Sequence, residues 1–310
     1  MANPKASSKK EIRFIGGHRA CAGCGFPIAL KQILSSSGDP IVVICATGCM
    51  EVTSTISPYS AWKTPFLHNA FENSAATASG VEGAYQSLKK QGRIKKNLKF
   101  LALGGDGGTY DIGLQSLSGA MERGHDLLYV CYNNDAYMNT GIQRSSATPR
   151  AAHTTTSPAG TAIPGKIQNS KNLTEIMVAH EIPYVAQSTI AYWDDATKKY
   201  EKAFSVEGPK FINTYTPCVP GWGYHMSKTV TLSKLAVETN FWPLYEVFKG
   251  VYKITYKNPL EKRKPVIEFF KMQPRFKHLL KKENETLLNS MQKVIDDRYA
   301  KLERLEKATN

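Results

Sequence analysis

The sequence predicts an α/β fold, a mainly parallel sheet flanked by helices, and three observations carry that prediction. Short apolar runs alternate with helix-periodic stretches through the middle of the chain. Several of these runs are apolar at consecutive positions, and one of them ends in glycines clustered around an aspartate. Strands buried on both faces read as continuous apolar runs, and strand–helix–strand repetition calls for parallel crossovers. The strand runs are 41–45 (IVVIC), 99–103 (KFLAL), 127–132 (LLYVCY) and 211–215 (FINTY). The helix-like stretches are 26–35, 74–89, 112–123, 173–180 and 194–206.

Two segments break this rhythm. Residues 145–171 are rich in Ser, Thr, Ala and Pro without apolar periodicity, which reads as a functional lid or a disordered loop. From about Lys253 a charged tail follows. Its stretch 283–307 favours helix, with Leu287, Leu288, Met291, Val294 and Ile295 on one side. That side would pack on the body of the protein or on a partner subunit, while the last two turns read equally well as solvated.

At 310 residues, with 42% hydrophobic and 21% charged, the chain has an ordinary globular composition, which excludes collagen-like, disordered and small disulfide-scaffold classes. No run of about 18 apolar residues calls for a membrane span. The start, MANPKASSKKEIR, has no apolar stretch behind its lysines, so a cytoplasmic protein without a secretory signal is expected. The formal charge of +14 invites a nucleic-acid reading. Its distribution argues against one: residues 1–19 carry +4, residues 253–310 carry +7, and the 233 residues between them only +3. The expected organisation is therefore an N-terminal arm (1–19), a central domain (20–252) and a basic C-terminal helical extension (253–310), with no nucleic-acid or membrane partner.

The most informative stretch is 101–144. A buried strand runs into Gly104-Gly105-Asp106-Gly107-Gly108. The glycines let backbone come close to a ligand, and Asp106 offers a hard oxygen to a divalent cation at the edge where parallel sheets bind ligands. After 25 residues beyond Gly107 a second strand ends in Asn133-Asn134. Alone, Gly-Asp-Gly is more often a turn. With this interval and two strand ends it matches the thiamine diphosphate signature, and Mg²⁺ would hold the diphosphate. Tyr110 and Asp111 follow closely enough to reach the diphosphate or a substrate edge.

Six cysteines without a secretory signal argue against a disulfide framework. Three readings compete: a zinc site on Cys21, Cys24, Cys45 and Cys49, a thioredoxin-like Cys21–Cys24 pair, and a four-thiolate iron–sulfur cluster on Cys21, Cys24, Cys49 and Cys218. Spacing alone does not separate zinc from iron–sulfur. Cys45 and Cys131 fall within apolar strands and read as buried thiols.

The segments GHRACAGCG, ATGCMEV, PYSAWKTPFLHNAFEN, GDGGTYDIG, NNDAYMNTGIQRS, HEIPYVAQ and TPCVPGW occur in this order. Together they resemble the β subunit of a 2-oxoacid:ferredoxin oxidoreductase, most closely the pyruvate (pyruvate synthase) type, from about Gly17 into the tail. The resemblance implies a thiamine-diphosphate-binding fold, with Mg²⁺ and a proximal 4Fe–4S cluster. It places the cluster on Cys21, Cys24, Cys49 and Cys218, leaving Cys45 out. It places Mg²⁺ on Asp106, Asn134 and the backbone carbonyl of Ala136, and Asn139 close to the reacting carbon. Gly105, Gly107, Gly108, Cys24, Gly25 and Gly48 complete the expected cofactor contacts.

The activity implied is thiamine-dependent oxidative decarboxylation of a 2-oxoacid, or its reversal, with electrons leaving through the cluster to ferredoxin and coenzyme A taking the acyl group. No segment reads as the second thiamine domain that holds the pyrimidine. A separate α subunit is therefore implied, with γ and δ-type subunits or domains completing the assembly. Departures from the family pattern concern substrate. The chain has Cys218-Val219-Pro220-Gly221-Trp222 for Cys-Pro-Thr-Gly-Trp, Phe66 for Trp, and Asn133-Asn134-Asp135 for Asp-Asn-Glu. These leave room for oxalate, cleaved to two CO₂ without coenzyme A, with Arg144 and Asn139 as candidates to meet a dianion. A non-redox thiamine decarboxylase or synthase with structural zinc is the remaining enzyme alternative. His68 reads as either a cofactor neighbour or a packed histidine, and His153 as exposed.

Overall fold

A computed structural model describes residues 10–310, so the first nine residues of the arm expected over 1–19 lie outside the described residues. The strands are β1 (Ile41–Ala46), β2 (Phe66–Asn69), β3 (Lys99–Gly105), β4 (Leu128–Asn133), β5 (Tyr184–Thr189), β6 (Lys210–Tyr215), β7 (Tyr245–Phe248) and β8 (Val251–Ile254). They form one sheet in the order β2-β1-β3-β4-β6-β5-β7-β8. The first six in that order are mutually parallel, and β7 and β8 extend the sheet antiparallel. The mainly parallel α/β class is therefore present, with an antiparallel edge.

Alternation along the strands supplies two cores. Ile44, Ala102, Tyr129, Cys131 and Phe211 face the helices Ser74–Lys90, Leu114–Glu122 and Leu173–Val178. Val43, Cys45, Leu103, Val130 and Ile212 face the helices Gly25–Ser35 and Trp193–Ser205. Both layers are closed by helices, which is why these strands are apolar at consecutive positions. Four strands lie outside the expected set, for different reasons. β2 is a half-exposed edge of four residues. β5 is fully buried although its sequence, YVAQST, ends in polar residues. β7 and β8 form a hairpin around Lys249 and Gly250, both at positive φ (49° and 81°), the two-residue geometry that matches strand twist.

The tail folds onto this body. Val266, Phe269, Phe270, Phe276 and Leu279 are buried in a third cluster with Tyr215, Trp222, Leu232 and Trp242. The helix Glu285–Thr309 then buries Met291, Ile295, Tyr299 and Leu302, a 4-4-3 spacing along one face. Leu287, Leu288 and Val294 are only partly buried. Its last two turns are engaged: Glu306 Oε1 accepts from Ile254 N–H at 2.7 Å and Thr309 Oγ1 from Tyr252 N–H at 3.0 Å. These bonds satisfy the free edge of β8, which would otherwise present open donors. Replacing Phe269 with Ala removes a ring with no exposed surface and should cost about 3–5 kcal/mol. Its thermal midpoint is expected to fall clearly, and an unchanged midpoint would show that the aromatic cluster does not anchor the tail.

Candidate functional site

The strands β1, β3, β4 and β6 are neighbours in the sheet and run the same way, so their carboxyl ends share one edge. Cys49 follows β1, Asp106 follows β3, Asn134 follows β4 and Cys218 follows β6. This edge opens into a cavity of about 470 Å³, within the range of small-molecule sites. Of the residues expected from sequence, Gly48, Cys49, Gly105, Asp106, Gly107, Asn134, Ala136 and Asn139 line it. The structure adds Phe71, Glu72, Tyr132 and Tyr137 to the walls.

Three oxygen donors meet in this cavity. The Asn134 amide ends 2.8 Å from Asp106 Oδ1 and 3.0 Å from the Ala136 carbonyl oxygen. With the amide oxygen at that point, three acceptors converge with no donor between them; with the amide turned over, its NH₂ donates to both. Adjacent ligands of an octahedral Mg²⁺, bonded at ~2.0–2.1 Å, stand roughly 3 Å apart, so the spacing suits that ion. Asp106 is 1% exposed. Ser145 Oγ donates to its Oδ2 at 2.5 Å and Asn134 N–H to its Oδ1 at 3.2 Å. Burial nevertheless pushes this carboxyl up to about 8, against the Ser145 bond and with a further push from nearby Asp135.

Ser145 begins the 145–171 segment, and that segment is neither a detached lid nor disordered. Ser145, Ala147, Thr148, Ala151 and Ala152 are buried. The buried Lys166 ammonium donates to the carbonyls of Ser145, Ser146 and Thr148 at 3.3, 3.1 and 2.6 Å. Small side chains and a lysine gathering carbonyls do here what a periodic apolar face does in a helix, so no periodicity shows.

After Asp106 the chain makes a π-helical turn, Gly107–Ile112, in which Gly113 N–H donates to Gly108 carbonyl at 2.7 Å. A Cβ on Gly107 would stand 2.4 Å from the Tyr137 ring, so any other residue must push that ring aside. The wide turn carries Tyr110 and Asp111 away from the cavity, contrary to the expectation that they reach the ligand. The Tyr110 hydroxyl accepts from Asn133 Nδ2 at 3.1 Å and Asn213 Nδ2 at 2.7 Å. Asp111 accepts from Tyr137 OH at 3.2 Å and Ser146 N–H at 2.9 Å. Both hold the loop. Gly108 also lies outside the lining, its space closed by the Phe71 carbonyl.

The Cys21–Gly25 turn docks against the end of β6: Gly25 N–H donates to the Pro217 carbonyl at 3.3 Å. Gly23, at φ +76°, lies so close to Met226 that a Cβ would fall 2.5 Å from its carbonyl oxygen. Cys24, Cys49 and Cys218 each feel one or more of the other thiols, and all three feel Cys21. Burial, reinforced by these like charges, pushes Cys24 and Cys49 up to about 12 and Cys218 up to about 11. Cys45 and Cys131 instead lie fully buried in opposite cores. Among the described residues no three His, Cys, Asp or Glu stand close enough for a single metal ion. The zinc set of Cys21, Cys24, Cys45 and Cys49 is therefore not formed; its thiolates would need to lie roughly 3.8 Å apart.

Other expected residues fall around the rim or outside. Asn139 is exposed at the mouth. His68 is half-exposed, with Nε2 2.7 Å from Thr47 Oγ1, and does not line the cavity. Arg144 does not line it either, and His153 is exposed. Beside the cavity the Tyr132 hydroxyl and both ends of the Asn69 amide are buried without partners, which a polar ligand would supply. Behind Asn134, sequence reasoning missed a buried group: Asp135 pairs with Arg275 at 2.8 Å, and Trp222 Nε1–H donates to the Asn134 carbonyl at 2.9 Å. In the sequence nothing but the neighbouring Phe276 sets Arg275 apart from the tail's other cations.

Residues 45–214 match the family model described as "Thiamine pyrophosphate enzyme, C-terminal TPP binding domain". The chain is 52% identical to pyruvate synthase subunit PorB of Methanocaldococcus jannaschii, over 93% of this chain and 96% of that protein. It is 50% identical to pyruvate synthase subunit PorB of Thermotoga maritima, over 97% and 94%. Among solved structures, a 2-oxoglutarate:ferredoxin oxidoreductase from Magnetococcus marinus superposes with a TM-score of 0.53 at 19% identity, covering 71% of this chain and 79% of that one. That likeness shows the shared fold.

Gly107→Ala should force the Tyr137 ring aside at a cost of about 1–3 kcal/mol. Combined with Tyr137→Ala, the loss in melting midpoint is expected to be smaller than the sum of the two single losses. Strict additivity would contradict the close contact.

Proposed function

The chain belongs to the thiamine pyrophosphate enzyme family, among the pyruvate synthase PorB subunits, β subunits of 2-oxoacid:ferredoxin oxidoreductases, and on that premise we propose how it works. It carries the Mg²⁺–diphosphate end of thiamine diphosphate and a proximal 4Fe–4S cluster, for the coenzyme A-dependent oxidative cleavage of pyruvate or its reverse. One observation carries the reading. The three-oxygen group and the cysteine group meet at one sheet edge, with Cys49 in the wall of the cavity that Asp106 lines.

Thiamine diphosphate, when bound, supplies the nucleophilic carbon and the electron sink that decarboxylation of a 2-oxoacid needs. The residues of this chain hold it in place. Asp106, Asn134 and the Ala136 carbonyl would take Mg²⁺, a hard ion suited to oxygen donors. Gly105 and Gly107 leave the backbone open to the diphosphate, and the Tyr132 hydroxyl and Asn69 amide offer donors that nothing else uses. The rings of Phe71 and Tyr137, 5.5 Å apart, form an apolar wall that keeps water from the reacting end. Asn139, which lines the cavity at its mouth, would meet the substrate.

A 4Fe–4S cluster is a better fit to the cysteines than zinc. Its four thiolates surround a cubane rather than one ion, so they share a neighbourhood without closing to tetrahedral spacing. Cys21, Cys24, Cys49 and Cys218 would hold it, and cationic iron would offset the burial that disfavours their thiolates. Six free cysteines suit a reducing cytoplasm. The pyrimidine end of the cofactor would be held by an α subunit, with γ and δ-type subunits and ferredoxin completing electron transfer. In this arrangement residues 20–252 form the cofactor-bearing unit, and 253–310 the extension packed on it.

Pyruvate is favoured over oxalate by the lining itself. Among the described residues no Lys or Arg lines the cavity, so they offer a dianion no counter-charge. The assembled complex should reduce a viologen acceptor with pyruvate only when coenzyme A is present, and should leave oxalate untouched. Turnover of oxalate without coenzyme A would overturn the substrate assignment. For the cluster, Cys49→Ala in the assembled complex is expected to lower iron and acid-labile sulfide by about four each per chain. Cys45→Ala should leave both unchanged, and loss of iron in the Cys45 variant would refute the ligand set.

A further inference from the structure

We propose that Arg275, supplied by the C-terminal extension, is a positioning residue that holds the divalent-cation ligands in place from behind; this rests on the Mg²⁺ reading above. Asp135 lies between Asn134 and Ala136, two of the three oxygen donors. It adopts φ +71°, a left-handed backbone that a non-glycine residue keeps only when its surroundings enforce it. Its carboxylate, 2% exposed, accepts from Arg275 Nη2 at 2.8 Å and from Tyr215 OH at 2.5 Å.

The same guanidinium also backs Asn134 through a tryptophan, and the Arg275 backbone ties down a second segment. Its Cζ lies 4.2 Å from the centre of the Trp222 ring, and the Trp222 Nε1–H fixes the Asn134 carbonyl. The Arg275 carbonyl accepts from His153 N–H at 3.0 Å, tying down the 145–171 segment whose Ser145 hydroxyl holds Asp106. One residue thus bears on Asp135, on the Asn134 backbone before it and, through its own carbonyl, on the segment that orients Asp106. It also neutralises Asp135, so that Asp106 is the carboxylate left to meet a cation. Partners of this kind commonly set metal affinity by orienting the ligands they touch.

The test uses the assembled complex, stripped of metal and thiamine diphosphate by a chelator. Thiamine diphosphate is offered at graded Mg²⁺, and the amount retained after gel filtration is read by thiochrome fluorescence, alongside the melting midpoint. Arg275→Met should raise the Mg²⁺ concentration for half retention by about 10–100-fold. Asp135→Asn combined with Arg275→Met should recover part of that shift, because no buried charge is left unpaired. Leu279→Ala, buried in the same segment, should lower the midpoint without moving the Mg²⁺ curve. A lowered midpoint with a wild-type Mg²⁺ curve in Arg275→Met would overturn the proposal. Should that variant not assemble, Trp222→Phe, which keeps a ring and deletes the N–H to Asn134, carries the same readout, and an unmoved curve again overturns it. A wild-type complex whose retention ignores Mg²⁺ would remove the cation reading itself, a distinct outcome.

Discussion

A buried carboxylate short of positive charge, Asp106, is the constraint around which this sheet edge is arranged. Two buried aspartates sit at adjacent strand ends, and the fold treats them oppositely. Asp135 receives a guanidinium and a tyrosine hydroxyl. Asp106 receives one serine hydroxyl and one backbone N–H, and stands beside the Asn134 amide. A buried ionised carboxylate with that little support is costly unless a cation joins it. The contrast between the two, more than either alone, marks which of them serves a ligand.

Everything beside Asp106 keeps space for that ligand. Glycines stand where rings press close: a Cβ on Gly48 would fall 2.6 Å from the Tyr132 hydroxyl, and one on Gly107 would enter Tyr137. The parallel register brings Cys49, Asp106, Asn134 and Cys218 to one edge although more than a hundred and sixty positions separate the first from the last. Sheet order, not sequence order, makes them neighbours. The cysteine group and the three-oxygen group are thereby held on one rigid scaffold, which favours a fixed distance between them.

What was legible in the sequence follows the range of the interactions involved. The strand ends bearing Asp106 and Asn134 could be read because each closes a buried apolar run, and burial on both faces writes itself into consecutive residues. Tyr110 and Asp111 were misread because the extra residue of a π-helical turn rotates them inward, and nothing local distinguishes that turn from an ordinary helix start. Ser145 and Arg275 were invisible for another reason: their partners lie 39 and 140 positions away. A side chain whose role is set by a distant carboxylate carries no pattern in its own neighbourhood. β5 shows the same limit, since its polar Gln187, Ser188 and Thr189 are buried by tertiary partners.

The charge of the tail separates into two physical roles. Several of its cations sit in ion pairs with appreciably exposed members, Lys257–Glu306 at 3.2 Å and Lys293–Asp297 at 2.7 Å among them. Such pairs contribute about 0–1 kcal/mol each, too little to fasten fifty residues to a domain. The aromatic inner face does that, since Phe269, Phe270 and Phe276 are fully buried against Trp222 and its neighbours. The charged outer face is therefore not what fastens the extension to the domain. Arg275 alone among the tail's cations is drawn through the aromatic layer to a buried aspartate behind the oxygen donors. A chain that needed only a charged handle would have no reason to bury one of its arginines there, and that burial is what makes the extension part of the site.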